Sequence, residues 1–267
     1  MSVSESVSSQ EPELLASQAG HIMTLTLNRP ASGNALSHKL VHDLHEAFTR
    51  LAEDDSVRVI VVAASGRLFC TGHDLKESLA TRTAEEKRRS NLHCNAMMQA
   101  IVNSPKPTIA RVQGTATAAG LELVSSCDLA IAADHARFAT PGVNIGLWCH
   151  TPQVAVSRVI GRKHALEMLL TGKLFDAEDA MRFGLINRAV PADRLDEAVG
   201  ELAETIAAKS PYTVAHGKYS FNRQLGMDRP QAYDFVADQT YRNFQAEDAR
   251  EGIAAFVEKR PPEWKGR

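Results

Sequence analysis

The run Val57-Arg58-Val59-Ile60-Val61-Val62-Ala63 leaves almost no polar side chain for either face of a strand. A strand of that kind has to be covered on both sides, which points to a sheet buried between other layers. The surrounding segments supply the cover. Leu36–Ala52 places Leu40, Val41, Leu44, Phe48 and Leu51 at helical spacing. His21–Asn28 alternates, with Met23, Leu25 and Leu27 on one face and Thr24 and Thr26 on the other, and stops at Asn28-Arg29-Pro30. Pro107–Val112 and Leu129–Ala132 add further short apolar runs. Strands alternating with helices, without repeats or low-complexity linkers, predict an α/β fold built from β-α units. Beyond about residue 192 only helical patterns remain, over Leu195–Ala208, Pro211–Leu225, Pro230–Phe244 and Ala249–Lys259.

The 267 residues fit one α/β domain with an appendage as well as two units, and suffice to bury a core without metal or disulfide staples. Lys plus Arg number 30 and Asp plus Glu 32, a formal charge of −2. With no basic excess to neutralise phosphates, nucleic acid is not expected as a partner, although one nucleotide-like group could still find a local pocket. No run approaches the roughly 20 apolar residues of a membrane helix, so no membrane partner is expected. The opening MSVSESVSSQEPE has neither the basic start and apolar stretch of a secretory signal nor the arginines of a transit peptide. Its composition predicts a disordered tail over residues 1–13. Cys70, Cys94, Cys127 and Cys149 form no C-x-x-C, the pattern of reduced, packed thiols rather than of a disulfide framework or zinc site. A cytoplasmic location is the expectation that follows.

Two glycine-containing turns stand out. Leu68–Leu75 reads LFCTGHDL, and Val112–Leu123 reads VQGTATAAGLEL, a strand running through small residues into a helix. Neither matches G-x-G-x-x-G or G-x-x-x-x-G-K-[ST], which argues against a nucleotide cradle. Small residues at a helix start admit another backbone or a ligand, and the free N–H groups there suit a developing oxyanion. Glu122, set among Leu121, Leu123 and Val124, is then a carboxyl that titrates high or is held by hydrogen bonds. A general acid/base beside a backbone oxyanion site and a first-turn glutamate favoured by the helix dipole both fit this pattern.

Taken together, these motifs resemble the crotonase (enoyl-CoA hydratase/isomerase) superfamily over nearly the whole chain. The resemblance runs from LNRP with Asn34-Ala35-Leu36, through FCTGHDL, ATAAGLELVSSCDLAIA, FATPGVNIGL and ALEMLLTGKLFDAEDAMRFGLINRAVP, to EGIAAFVEKRPPEW. It implies a crotonase spiral of repeated β-β-α units over 14–200 and a helical C-terminal region over 201–267 that assembles trimers, alone or paired into hexamers. It also implies an acyl-CoA thioester as ligand, with coenzyme A belonging to the substrate and no separate cofactor. The thioester oxygen would rest on the backbone N–H groups of His73 and Ala119, with Glu122 as acid/base. Ala35, Thr71, Asp74, Leu75, Lys76, Pro141, Gly142 and Trp148 would line the substrate site, with Lys76 toward the CoA phosphates.

The departures from the family pattern are as informative as the matches. Hydratases of the family hold a water between two glutamates; Glu122 falls on the first, and Gly142 stands where the second belongs. The glycine-rich stretch that follows in hydratases reads Leu147-Trp148-Cys149-His150-Thr151-Pro152 here, and the usual glycine triplet is Ala118-Ala119-Gly120. This pattern is similar to the enoyl-CoA hydratase domain-containing subgroup. His150, near the site in sequence and able to titrate near neutrality, is the candidate substitute for the lost carboxylate, with a hydrogen-bonded loop histidine as the alternative. His38, His42 and His45 share a helix face but lack an accompanying H-E-x-x-H, so no metal is expected. Lys259 and Arg260 are candidates for a CoA phosphate contact, and Arg82–Arg89 for an exposed helix start near the site. The expected activity is reversible hydration of a 2-enoyl-CoA. The alternatives are other crotonase chemistry (isomerase, thioesterase or decarboxylase) or a non-catalytic acyl-CoA-binding protein.

Overall fold

A computed structural model describes residues 11–80 and 83–267. Its larger sheet orders β1 (Leu14–Ala19), β2 (Ile22–Leu27), β3 (Val59–Ala64), β4 (Thr108–Val112), β6 (Leu129–Ala133) and β9 (Arg188–Val190). Only β1 runs antiparallel to its neighbour; the other pairs are parallel. A smaller sheet joins β5 (Ala116–Thr117), β7 (Arg137–Ala139) and β8 (Phe175–Asp176). Parallel pairing needs crossovers, and the helices supply them: α1 (His38–Ala52) between β2 and β3, then α2 (Leu75–Leu79) and α3 (Ala84–Asn103) between β3 and β4. α4 (Ala119–Ser126), α5 (His150–Val159), α6 (Arg162–Thr171) and α7 (Ala177–Phe183) follow. This is the expected α/β crotonase architecture.

The apolar run at β3 is buried at every position. Ile60 and Val62 join Leu40, Leu44 and Phe48 of α1 and Met97 and Ile101 of α3 in the main core. Val59 and Val61 face the other way, onto Leu195, Val199, Ala203 and Ala207 of α8 (Leu195–Ala207). Each such side chain contributes about 1.5–3 kcal/mol by leaving water, which is why the strand tolerates no polar face. The division expected at residue 200 therefore falls inside α8, a helix that belongs to the sheet because its apolar stripe covers β3, β4 and β6.

Residues 1–10 lie outside the described residues, as does Arg82 of the expected Arg82–Arg89 helix start; α3 begins at Ala84, with Thr83 and Glu86 forming a capping box. The predicted tail does not extend to Glu13. Its backbone carbonyl accepts from Asn28 N–H at 2.7 Å, and its carboxylate pairs with Arg29 at 3.1 Å and accepts from the Ser37 hydroxyl. Beyond α8, α9 (Pro211–Gln224) and α10 (Arg229–Gln245) bury no residue of their own. They hold Tyr219, Phe221, Tyr233, Tyr241 and Phe244 exposed. α11 (Glu247–Glu258) is tied down by buried Asp248, whose carboxylate accepts from the backbone N–H groups of Lys265 and Gly266 and from the Ser210 hydroxyl.

Candidate active site

The chain crosses itself just beyond the C-terminal ends of β2 and β3. Asn34, buried and in the left-handed region at φ 53°, accepts from Arg29 N–H and donates to the carbonyls of Ser65 and Leu68. That clamp sets Leu36 beside the Gly72–Asp74 turn: Leu36 N–H donates to Gly72 O at 2.8 Å, and Asp74 N–H donates to Leu36 O at 3.1 Å. His73 N–H, between them, is left over. Asp74 caps α2 through Lys76 and Glu77 N–H, and its other oxygen meets Arg29 at 3.0 Å. Burial works against this carboxylate, but the Arg29 guanidinium and the two N–H groups hold it below its usual range.

The second turn is pressed against the first. Thr117 N–H donates to Cys70 O at 2.9 Å, and the Thr117 hydroxyl donates to Thr71 O at 3.1 Å. Two glycines make the approach possible. A β-carbon on Gly120 would lie 2.1 Å from Cys70 O, and one on Gly72 (φ +100°) 2.9 Å from Ala118 Cβ and 3.3 Å from Ala119 N. Ala118 itself sits at φ 50°, ψ −122°, a conformation glycine adopts far more readily. Ala119 opens α4, where N–H groups have no intrahelical partner. Among the described residues neither His73 N–H nor Ala119 N–H finds an acceptor. Two free donors thus flank one turn-to-turn contact, and such a pair can hold an anionic oxygen.

One turn further along α4, Glu122 is 4% exposed. Burial pushes its carboxyl from 4.5 up to about 7, against the opposing pull of a hydrogen bond from Thr151. The Thr151 hydroxyl donates to Oε2 at 2.8 Å. A cleft of about 520 Å³ lies beside this pair, with Thr151 in its wall. Its walls include Thr71, His73, Asp74, Leu75, Cys94, Ala118, Ala119, Pro141, Gly142, Trp148, His150 and Thr151. A larger cavity, about 600 Å³ between α3 and α9, has Lys218 in its wall, already paired with Asp128 at 2.7 Å.

The cleft therefore gathers most of the residues expected from sequence: His73, Ala119 and His150, with Thr71, Asp74, Leu75, Pro141, Gly142 and Trp148. Ala35, Lys76 and Glu122 stand outside its wall, Glu122 meeting it through Thr151. Ala35 is buried with its carbonyl turned to Arg29, and Lys76 is exposed on α2. His150 begins α5 with its side chain exposed; the group that reaches Glu122 is its neighbour Thr151. Trp148 donates its indole N–H to Gln153 at 2.7 Å. Arg260 is engaged with Glu251 and Glu258. His42 and His45 pack edge-on against His93 of α3, ring centroids 5.8 and 5.5 Å apart, and among the described residues no group of three His, Cys, Asp or Glu is placed to hold a metal.

Gly142 is more than a missing side chain. The short 3-10 turn over Pro141–Ile145 folds back so that Leu147 N–H donates to Gly142 O at 2.9 Å. A β-carbon there would lie 2.9 Å from Leu147 O and 3.0 Å from Cys149 Sγ. The Leu147 backbone carbonyl and the Cys149 thiol occupy the space a side chain at this position would need. Burial pushes the Cys149 thiol up, and that of Cys94 up to about 12, so both wall thiols stay protonated.

Comparison with known proteins settles the family. The sequence matches the family described as Enoyl-CoA hydratase/isomerase over residues 17–267. The chain belongs to that family. It is 42% identical over 255 residues to rat enoyl-CoA hydratase domain-containing protein 3, mitochondrial, covering 95% of this chain and 85% of the relative. Among solved structures, an enoyl-CoA hydratase from Mycobacterium smegmatis superposes with a TM-score of 0.93 at 48% identity, covering 95% of this chain and 99% of that one. Human enoyl-CoA hydratase domain-containing protein 3 gives 0.89 at 40% identity, covering 94% and 100%. The resemblance to the domain-containing subgroup is thus borne out. The cytoplasmic expectation is not: rat, mouse, zebrafish, frog and human relatives all carry "mitochondrial" in their names. Absence of a recognisable address in the opening residues was too weak a basis for a location.

Proposed function

We propose that the protein acts on acyl-CoA thioesters, holding the thioester oxygen on the His73 and Ala119 N–H groups while Glu122 moves a proton, with reversible hydration of a 2-enoyl-CoA as the reaction. The observation that carries this reading is the pairing of two unpartnered N–H groups with a buried carboxyl whose pKa is raised to about 7. Near neutrality such a carboxyl is present in both protonation states, as proton transfer in both directions requires. Ionised Glu122 takes a proton from water as the water oxygen bonds to C3. The C2=C3 electron pair moves to the thioester as an enolate, whose oxygen rests on the two donors. Glu122 then returns the proton to C2. Removing one such donor costs on the order of 3 kcal/mol in other enzymes. No organic cofactor or metal enters this scheme, and coenzyme A arrives as part of the substrate.

The closed turn at Gly142 favours a second reading within the same family. With one carboxyl and no second group to orient water, a double-bond shift needs only that Glu122 remove a proton from one carbon and return it to another. Thioesterase action and simple acyl-CoA binding are separated from both when released thiol and product mass are read beside the absorbance. Incubation with crotonyl-CoA reads hydration as loss of the enoyl-thioester absorbance with gain of one water in the product and no released thiol. Glu122→Gln is expected to lower turnover by about 10²–10⁴-fold. An unaffected rate overturns the assignment of Glu122, and thioester binding without turnover by the unaltered protein moves the reading to a binding role. The exposed aromatic rows of α9 and α10 support assembly as a homotrimer or a dimer of trimers, which light scattering tests.

A further inference from the structure

Glu122 does not act alone in its pocket. Its Oε2 accepts from the Thr151 hydroxyl at 2.8 Å, whereas Oε1 accepts from no group among the described residues and is not sealed from solvent. Thr151 sits in the first turn of α5 and lines the cleft; Glu122 lies on α4, the helix against which α5 packs. The hydrogen bond therefore joins two elements 29 residues apart in sequence, behind the cleft wall that Thr151 helps to form. The titratable groups that face the carboxyl are Cys94 of α3 and Cys149 before α5, both held as neutral thiols. Thr151 is the polar side chain that holds the carboxyl.

We infer that Thr151 is a positioning residue for Glu122: its hydroxyl occupies Oε2, so the transferable proton is carried on Oε1, the oxygen left without a protein partner. The inference rests on the acid/base reading of Glu122 for its catalytic meaning, though not for its physical content. With the hydroxyl donating to Oε2, a proton on that oxygen would require the hydroxyl to turn round and accept, whereas a proton on Oε1 leaves the bond as it stands. The donor favours the ionised carboxylate as well, since a hydrogen bond to a charged acceptor is stronger than one to a neutral acceptor. Thr151 thereby does two things at once. It fixes which oxygen exchanges protons, and it keeps burial from driving the carboxyl out of the neutral range. The polar partner that Gly142 and His150 do not provide comes from the residue next to His150.

The test uses the full-length protein with ¹³C-labelled glutamate, followed by carboxyl NMR across pH, with Glu122→Gln identifying the Glu122 signal. Thr151→Val is expected to move the midpoint of that signal upward by about one pH unit, the consequence of losing a hydrogen bond to a charged group. Thr151→Ser is expected to restore it, and Thr151→Ala gives the same reading as valine without added bulk if valine disturbs folding. In turnover, Thr151→Val is expected to lower kcat about tenfold with KM within about twofold and to move the kcat–pH profile with the carboxyl midpoint. A midpoint that stays in place in both apolar variants, or that serine fails to restore, overturns the inference. If the midpoint moves as expected but Glu122→Gln keeps full turnover, the positioning by Thr151 stands and the acid/base reading of Glu122 fails.

Discussion

Restoring a glutamate at position 142 is the obvious way to turn this chain into a two-carboxylate hydratase, and the structure says that it will not work. The first atom of any side chain would lie 2.9 Å from the backbone oxygen of Leu147 and 3.0 Å from Cys149 Sγ. Neither neighbour yields cheaply. Leu147 is held by its own N–H, which donates to Gly142 O at 2.9 Å, so retreat breaks a backbone bond. Cys149 is buried, 8% exposed, at the start of α5. Overpacking of this kind costs about 1–3 kcal/mol, and loss of the backbone hydrogen bond adds about 1 kcal/mol. Gly142→Ala should therefore lose about 2–4 kcal/mol, and Gly142→Glu at least as much, with no gain in crotonyl-CoA hydration. Urea unfolding followed through the fluorescence of Trp148 and Trp264 measures the first, and loss of enoyl absorbance the second. Wild-type stability in both variants, together with hydration accelerated about 10²-fold or more by the glutamate, would refute the argument that the turn has closed the second acid's place.

Two further outcomes follow from the same geometry. Because the Glu122 carboxyl titrates near 7 in the folded protein against 4.5 unfolded, the folded state binds the extra proton between those values. Stability from the neutral carboxyl is whole below about 4.5 and is lost as pH rises through about 7. Glu122→Gln, neutral throughout, should gain about 2–3 kcal/mol on the wild type between roughly pH 5 and pH 8.5; denaturant unfolding at both values checks the sign. Ala118→Gly should stabilise the protein by about 1 kcal/mol, because relief of φ 50° outweighs the entropy glycine adds to the unfolded chain, and a fall in the unfolding midpoint would contradict the strain.

The central architecture was legible because its signals are local and strong. The unbroken run at β3 and the apolar stripe of α1 state their own burial, and VQGTATAAGLEL places a free helix start beside a carboxyl. β1 escaped notice because LLASQA is almost wholly exposed, an edge strand held by pairing rather than by a buried face. The smaller sheet is built of strands two or three residues long, below any periodicity. α8 was legible as a helix but not as part of the sheet layer, since an amphipathic stripe does not name the surface it covers. Thr151 escaped for a related reason. A threonine in a first helical turn carries no sign of its own, and its meaning depends on α5 lying across α4. His150 drew attention by its chemistry, while the adjacent hydroxyl makes the bond.

The ion pairs at Arg29 carry a practical consequence for handling this protein. Arg29 holds Glu13 at 3.1 Å on one side and Asp74 at 3.0 Å on the other, and Asp74 follows directly on the His73 donor. Trimming the chain past Glu13, or fusing a tag that displaces it, would loosen a lever whose far end is the Gly72–Asp74 turn. A function lost after such an edit would be misread as inherent to the protein, although no residue of the cleft had been touched.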